Sequence, residues 1–216
     1  MLALLGCSLC VAAPAQALRR CAPKNARIIV QNAFVQAFSP KGLYADVGPD
    51  NLAACLRSTG EGVGLAAEGW LDGRVALARD VVGWIDDCYE EDCGIDLWTA
   101  QSYRFSDDAS AMGHIWTFDD ISKVTVNVHG DMAWMVCYER AQPRAVSVNH
   151  EQLDRACRRP LTSKYSVWTL KRTRAPGYAK TRFRDTGTAI FPFSLRLGKR
   201  RATWRHGNRV VSRRVR

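Results

Sequence analysis

One hairpin signal constrains the fold of this chain more than any other feature. Residues 122–128 alternate strictly between polar and apolar side chains, so Val124, Val126 and Val128 share one face of a predicted strand. The tripeptide His-Gly-Asp at 129–131 makes a tight turn, and residues 132–138 return as a strand that is apolar almost throughout. We therefore predict an antiparallel hairpin whose second strand is covered on both faces.

Further strands are predicted on both sides of the hairpin. Residues 98–105, 163–172 and 178–184 have the composition and alternation of strands, with polar turns between them. Residues 28–38 form an apolar stretch that fits either a strand or a short helix. The second half of the chain is therefore expected to form an antiparallel sheet.

Two helices are predicted before this sheet. Residues 50–56 are expected to be helical, with Asp50 as the N-cap. Residues 72–89 predict a longer helix, because apolar side chains recur there at helical spacing. These apolar side chains are Val75, Ala78, Val82, Ile85 and Tyr89.

Charge is distributed very unevenly along the chain. Residues 155–216 contain 19 Lys and Arg against one acid, Asp185, a balance of +18, whereas residues 1–154 carry −8. A cationic segment attracts phosphate backbones, anionic glycans or anionic lipid, or it is simply a solvated and partly disordered tail. Phe191, Phe193 and Trp204 are interleaved with the bases and could stack on nucleobases. The densest basic positions are Lys199, Arg200, Arg201, Arg205, Arg213 and Arg214.

The N-terminus predicts export. Residues 1–13 are apolar and small, and Ala-Gln-Ala at 15–17 is a small-x-small cleavage pattern, so residues 1–17 are predicted to be a signal peptide. Residues 18–45 hold five bases and no acid, a composition that also fits an organelle transit segment within residues 1–45. No uncharged apolar run reaches the roughly 18 residues that span a bilayer, so no integral membrane segment is predicted. We expect a secreted or periplasmic protein.

Cysteine usage agrees with an exported chain. Removing residues 1–17 leaves six of the eight cysteines, an even number that suits disulfide formation. Cys88 and Cys93 favour a disulfide or buried thiols over a metal pair, because no second Cys or His pair lies at matching spacing. Neither a metal site nor a cofactor is predicted.

Aromatic side chains on the predicted sheet suggest a ligand pocket. Large aromatics line the concave side of curved sheets, although plain core packing is the commoner explanation for any single Trp. Four of the seven tryptophans fall on this sheet, namely Trp98, Trp116, Trp134 and Trp168.

Three sequence elements, taken in their order along the chain, resemble those of a known family. They are the mid-chain helix, the hairpin sequence Val-His-Gly-Asp-Met-Ala-Trp at 128–134, and the strand pair at 165–172 and 176–186. Between about residues 70 and 190 the chain resembles the nuclear transport factor 2-like superfamily, in its SnoaL-like and ketosteroid-isomerase-related branch. The resemblance implies an α+β fold in which a curved antiparallel sheet packs on helices, a cone that encloses an apolar pocket, followed by a basic C-terminal tail.

The resemblance also implies a division of the chain and a set of site residues. Residues 18–60 would be an N-terminal extension, 61–193 the SnoaL-like domain and 194–216 the basic tail. Arg182 and Arg184 stand where the family often has histidines, and arginine cannot act as a base. If they point inward they favour an anionic ligand, and if outward they extend the basic surface. The candidates for proton transfer are His114, Asp119 and Tyr103.

Two functional hypotheses remain at this point, and neither decides whether the chain is an enzyme. The first is an exported SnoaL-like domain that binds a small apolar or anionic ligand in a Trp-lined pocket, with isomerase- or dehydratase-type proton transfer as an option. The alternative is a cationic secreted protein that binds nucleic acid or anionic glycan through its Arg-rich C-terminal part. The apolar residues 132–135 could form a homodimer face or belong to the core.

Overall fold

The structure is a computed structural model that describes residues 21–39, 52–65, 74–88, 97–115, 120–138, 164–173 and 181–215. Within these ranges the chain forms fifteen β-strands and two short 3₁₀ turns, Phe105–Asp107 and Pro192–Ser194, and contains no α-helix. None of the described segments is a helix long and apolar enough to cross a membrane.

The strands form four antiparallel sheets in which sequence neighbours pair. The first sheet contains β1 (Arg27–Gln31), β2 (Val35–Ser39), β3 (Leu52–Leu56) and β4 (Gly62–Leu65). The second contains β5 (Val75–Ala78), β6 (Val81–Cys88), β7 (Leu97–Arg104) and β8 (Ala109–Ile115). The third contains β9 (Asp120–Val126), β10 (Met132–Tyr138), β11 (Lys164–Leu170) and β12 (Thr181–Gly187). The fourth contains β13 (Arg196–Leu197), β14 (Arg201–His206) and β15 (Arg209–Arg214).

Successive sheets pack face to face. In β10, Trp134 packs toward the second sheet, whereas Met135, one residue on, packs toward the fourth. In β6, Trp84 packs toward the first sheet and Ile85 toward the third. The second and third sheets are therefore inner layers, and their central strands are apolar on both faces because both faces are covered.

The outer face of the first sheet is covered by the segment before β1. Cys21 and Cys55 form a disulfide across a sequence separation of 34 residues, and Ala22 and Phe38 are buried beside it. The side-chain oxygen of Gln36 accepts hydrogen bonds from the backbone N–H groups of Cys21 and Ala22. Closing a loop of this length stabilises the fold by about 4 kcal/mol. Cys137, in the third sheet, is also disulfide-bonded.

The first strands of successive sheets contact one another: β1 contacts β5, β5 contacts β9, and β9 contacts β13. The described chain is therefore a series of three four-stranded meanders followed by a three-stranded one.

The second strand of every sheet carries the same two-residue pattern, a small side chain followed by an aromatic one. Each aromatic side chain packs toward the layer that precedes it, and each small residue of the first three sheets faces the layer that follows. The pattern is an internal repeat of one structural unit. The pairs are Ala37–Phe38, Gly83–Trp84, Ala133–Trp134 and Thr203–Trp204.

The predicted α+β cone is wrong. Residues 72–89 contain the β5–β6 hairpin rather than a helix, and Arg79 at its turn has φ of 57°, which an α-helix excludes. The apolar spacing was misleading because β6 is buried on both faces, and a continuous apolar run contains helical spacing by chance. Residues 50–56 likewise contain strand β3, which pairs with β2.

The predicted strands of the third sheet are confirmed. Asp120–Val126 and Met132–Tyr138 pair as the hairpin, and β10 is buried from Met132 to Cys137. Val128 lies in the turn and is 43% exposed, so only Val124 and Val126 share the buried face. Since residues 132–135 are fully buried between two layers of the same chain, they present no dimer face.

The predicted C-terminal tail is a folded sheet. Ala202 and Trp204 on β14 alternate with exposed Arg201 and Arg205, and the buried pair packs on Met135 of the third sheet. The alternation of apolar and charged residues is what a sheet with one covered face requires. Residues 1–20 lie outside the described part of the chain, so the signal peptide stays a prediction, as do the domain boundaries.

Candidate functional site

Of the three residues predicted for proton transfer, only Tyr103 has a side chain within the described part of the chain. Tyr103 on β7 donates a hydrogen bond to Asp108 Oδ1 at 2.7 Å and packs edge-on against Phe105. Burial, and then the hydrogen bond to Asp108, raises the pKa of Tyr103 to about 12. The phenol proton is therefore held by a neighbouring carboxylate rather than offered to a ligand.

The other two candidates for proton transfer are placed only in part. The backbone of His114 lies on β8 opposite Thr99, whereas Tyr103 lies opposite Ser110. Four residues along a strand are about 13 Å, so at least that distance separates the Cα atoms of His114 and Tyr103. Asp119 lies outside the described residues, and the side chain of His114 does too.

Trp134 and Trp168 pack against other side chains of the second and third sheets. Trp134 is fully buried between the second and third sheets, and its indole N–H has no hydrogen-bond partner among the described residues. Trp168 is half-buried and donates to Ser166 Oγ at 2.8 Å, with Phe183 packed edge-on against it. The backbone of Trp98 lies on β7, and Trp116 falls outside the described part of the chain.

Arg182 and Arg184 lie at the outer edge of the third sheet. Arg182 on β12 is exposed, opposite Thr169 of β11. Arg184 is half-buried, and its Nε donates to Thr169 Oγ1 at 2.7 Å. Arg182 therefore extends the basic surface, and Arg184 fastens β12 to β11.

The densest cationic surface of the described chain is the outer face of the fourth sheet. Arg201 and Arg205 lie on β14, two residues either side of Thr203, so about 13 Å separates their Cα atoms. Arg214 of β15 lies directly opposite Arg201, with Cα atoms about 5 Å apart. Arg196 of β13 lies opposite Thr203, so all four arginines project from one face.

These arginines are held by neutral groups. Arg201 donates from Nε to Ser212 Oγ at 2.8 Å, and the guanidinium of Arg205 lies 4.8 Å from the centre of the Phe191 ring. Arg196 Nη1 donates to the backbone carbonyl of Phe193 at 2.9 Å. No Lys or Arg between residues 196 and 214 forms an ion pair with an acid of the described chain.

The β13–β14 turn is fixed by the hairpin of the third sheet. Asn127 Nδ2 donates to the carbonyls of Gly198 and Lys199 at 3.1 and 3.3 Å, and also to Asp131 Oδ2. Asn127 Oδ1 accepts from the N–H groups of His129 and Asp131. Exposed Lys199 and Arg200 are thereby placed beside the arginine face. Arg213 is exposed on β15, opposite Ala202.

The opposite face of the fourth sheet is fastened to the third sheet. Trp204 Nε1 donates to Asp185 Oδ2 at 2.7 Å, and His206 Nδ1 lies 3.0 Å from the same oxygen. Trp204 is only 1% exposed, so it cannot stack on a nucleobase. The single acid of the C-terminal region, Asp185, is therefore used on the covered face, and no acid of residues 194–215 offsets the outer arginines.

Arg196 and Arg209 also belong to this basic sheet, although the sequence did not single them out. Arg196 joins the outer face through β13, and Arg209 begins β15. The signal that could have found them is the alternation Arg-Ala-Thr-Trp-Arg at 201–205, which marks a half-buried strand. Once β14 is recognised, its neighbours follow as paired strands.

A cleft of about 340 Å³ opens to solvent where β5, the β9–β10 turn and the β13–β14 turn meet. Ala78, Val126 and Leu197 give it apolar walls, and Lys199 lies at its rim. No group of three or more His, Cys, Asp or Glu side chains within the described ranges could hold a metal ion.

Comparison of the chain with known protein families, with curated proteins and with solved structures gives no match. The resemblance to the nuclear transport factor 2-like superfamily thus stays a prediction at the level of sequence, while the helix-backed cone that it implied is contradicted by the four stacked sheets.

Proposed function

We propose that this protein binds polyanions through the outer face of its fourth sheet. The observation that carries the proposal is the direct pairing of Arg201 with Arg214, flanked by Arg196 and Arg205, with no described acid paired to any of them. Like charges placed directly opposite on neighbouring strands destabilise a sheet. A bound polyanion removes that cost, because its phosphates or sulfates neutralise the guanidinium groups.

A role in solubility would explain why this face is polar, but not why all of its charges are positive. The end of a stack of repeated units needs a polar outer face, and mixed charges serve that purpose with less repulsion. Residues 194–215 contain eight Lys and Arg and no acid, so the face is built from one sign only. A single sign of charge supports attraction of an oppositely charged partner.

We propose that the chain acts outside the reducing cytosol. Cys21–Cys55 and the bonded Cys137 are typical of proteins that fold in oxidising compartments, which agrees with the predicted signal peptide at 1–17. A small-molecule pocket walled by tryptophan stays a prediction with less support, because Trp134 is packed in the core.

The test is salt-dependent binding of heparin and of DNA by the full chain. The variant replaces Arg201 and Arg214 by Gln, and the matched control replaces Lys24 and Arg27, two exposed cations at the other end of the stack. Substitution is preferable to deletion, because removing residues 194–216 would also remove Trp204 from the core.

The expected result is a weaker dependence on salt for the Arg201 and Arg214 variant only. Each phosphate contact contributes about −0.9 to the slope of log K against log salt on duplex DNA, so the slope should become less negative by about 2. Equal slopes for both variants, or no binding by the unmodified chain, would contradict the proposal.

A further inference from the structure

We propose that the polyanion is a single-stranded nucleic acid, one of whose bases stacks on Phe193. This inference rests on the proposed function, since it places an aromatic platform beside the same arginine face. Proteins that bind single strands combine a cationic track for the backbone with exposed aromatic side chains for the bases.

Phe193 is exposed to an unusual degree for a large apolar side chain. It lies in the 3₁₀ turn Pro192–Ser194, immediately before β13, and 64% of it is accessible to solvent. Burying such a ring normally stabilises a fold, so its exposure gives up stability. A ligand with a flat apolar surface would recover that free energy.

The turn that carries Phe193 is fixed to the arginine face by hydrogen bonds. Arg196 Nη1 donates to the carbonyl of Phe193 at 2.9 Å, which places the guanidinium close to the ring-bearing residue. Ser194 Oγ accepts from the N–H of Arg205 at 2.9 Å, and the N–H of Phe191 donates to the carbonyl of Arg205 at 3.0 Å. Hydrogen bonds therefore join the segment that carries Phe193 to Arg196 and Arg205.

Phe191 packs against Arg205, one of the cations of the arginine face. Its ring is half-buried beneath the guanidinium of Arg205, 4.8 Å from ring centre to Cζ. The ring limits the directions that Arg205 can take, so less side-chain entropy is lost when a phosphate binds. Arg205 and Arg196 both contact the segment that carries Phe193, so they are placed to bind phosphates of a strand whose base stacks on that ring.

The exposed ring of Phe193 favours a single-stranded nucleic acid over the other polyanions. Bases in a duplex are stacked on one another and present only their edges, and sulfated glycans have no aromatic face. Stacking on an aromatic side chain contributes about 1–3 kcal/mol per base, which corresponds to roughly 5- to 150-fold in affinity. Because every base has an aromatic face, little sequence preference is expected.

The experiment measures binding of fluorescent oligo(dT), of a duplex and of heparin to the full chain at one fixed salt concentration. Phe193→Ala is compared with Phe34→Ala, since Phe34 is likewise an exposed phenylalanine, 44% accessible, and lies close to an arginine, Arg79. Phe34 lies before β2 in the first sheet, away from the arginine face. Phe193→Trp tests whether a larger aromatic ring keeps or strengthens binding.

We expect Phe193→Ala to weaken oligo(dT) binding at least fivefold (about 1 kcal/mol). The same variant should change duplex and heparin binding less than about twofold. Phe34→Ala should leave the binding of all three ligands unchanged. Equal losses on all three ligands, or no loss on oligo(dT), would overturn the stacking proposal while leaving polyanion binding intact. Absence of binding to all three ligands would overturn the proposed function itself. Circular dichroism of Phe193→Ala, together with binding by Phe193→Trp, separates loss of stacking from loss of fold.

Discussion

Replacing Gly83 by alanine tests the stacking of the second sheet on the third. Gly83 lies on β6, and a Cβ added there would meet Val126 Cβ at 3.0 Å and the Cε of Met132 at 3.3 Å. The Cβ of buried Val126 is fixed to its backbone, so it cannot move away without shifting strand β9 of the third sheet. Gly64 on β4 is a matched control, because a Cβ added there meets nothing within 4 Å.

The size of the effect follows from two opposing contributions. Extra carbon in a filled core costs about 1–3 kcal/mol, whereas replacing glycine by alanine stabilises by about 0.4–1 kcal/mol through the unfolded chain. We expect the free energy of unfolding to fall by about 1 kcal/mol for Gly83→Ala. For Gly64→Ala only the second contribution applies, and a rise of about 0.5 kcal/mol is expected.

The sign of the Gly83 effect also separates the stacked sheets from the helix first predicted over residues 72–89. In a helix, alanine is more favourable than glycine by about 1 kcal/mol, so the same substitution would be stabilising. The assay is equilibrium unfolding in urea, followed by tryptophan fluorescence, for the unmodified chain and both variants. A stabilising Gly83→Ala, or equal shifts for both glycines, would refute the stacked arrangement.

Two further predictions concern named side-chain contacts. Trp204→Phe should lower the free energy of unfolding by about 2 kcal/mol more than Trp134→Phe, because of the two indoles only that of Trp204 donates a hydrogen bond, to Asp185. Urea unfolding measures both variants, and equal losses of stability would contradict this. The hydrogen bond from Arg104 lowers the pKa of Asp107 to about 2. Ionised Asp107 therefore stabilises the fold above about pH 4, and this stabilisation is lost as the pH falls through about 2. Asp107→Asn should therefore reduce the loss of melting temperature between pH 4 and pH 2, and identical pH profiles would contradict the assignment.

Segments with strong local alternation were predictable from sequence. The hairpin of β9 and β10 and the strand β11 follow from side chains that alternate with period two and from the turn at 129–131. Their register, including the irregularity between Met135 and Val136, did not follow, because it depends on how the partner strands meet. The continuous apolar character of β10 did indicate that both of its faces would be covered.

The error over residues 72–89 has a physical origin. A strand buried on both faces has no polar positions to reveal its period, and Val81, Val82 and Ile85 satisfy helical spacing as well as strand spacing. The internal repeat was missed for a related reason, since the repeated unit preserves only a small residue and an aromatic one, such as Gly83 and Trp84. Their significance depends on contacts with the neighbouring layers.

The candidate surface was predictable in charge but not in shape. Composition located the cations between residues 194 and 216, and it could not distinguish a disordered tail from a sheet. The structure separates Trp204, which is buried, from Phe193, which is exposed, although both are aromatic residues among arginines. That separation decides which aromatic side chain can contact a ligand.

The amino-acid sequence by itself determined where the β9–β10 hairpin would turn, where positive charge would concentrate and that cysteines would pair, since each depends on neighbouring residues or on composition. Only the tertiary structure decided that the strands stack as four successive sheets and that Arg196, Arg201, Arg205 and Arg214 share one open face. The physical reason is that layer packing and cross-strand placement arise between residues far apart in the chain, and local periodicity carries no record of which surfaces will meet.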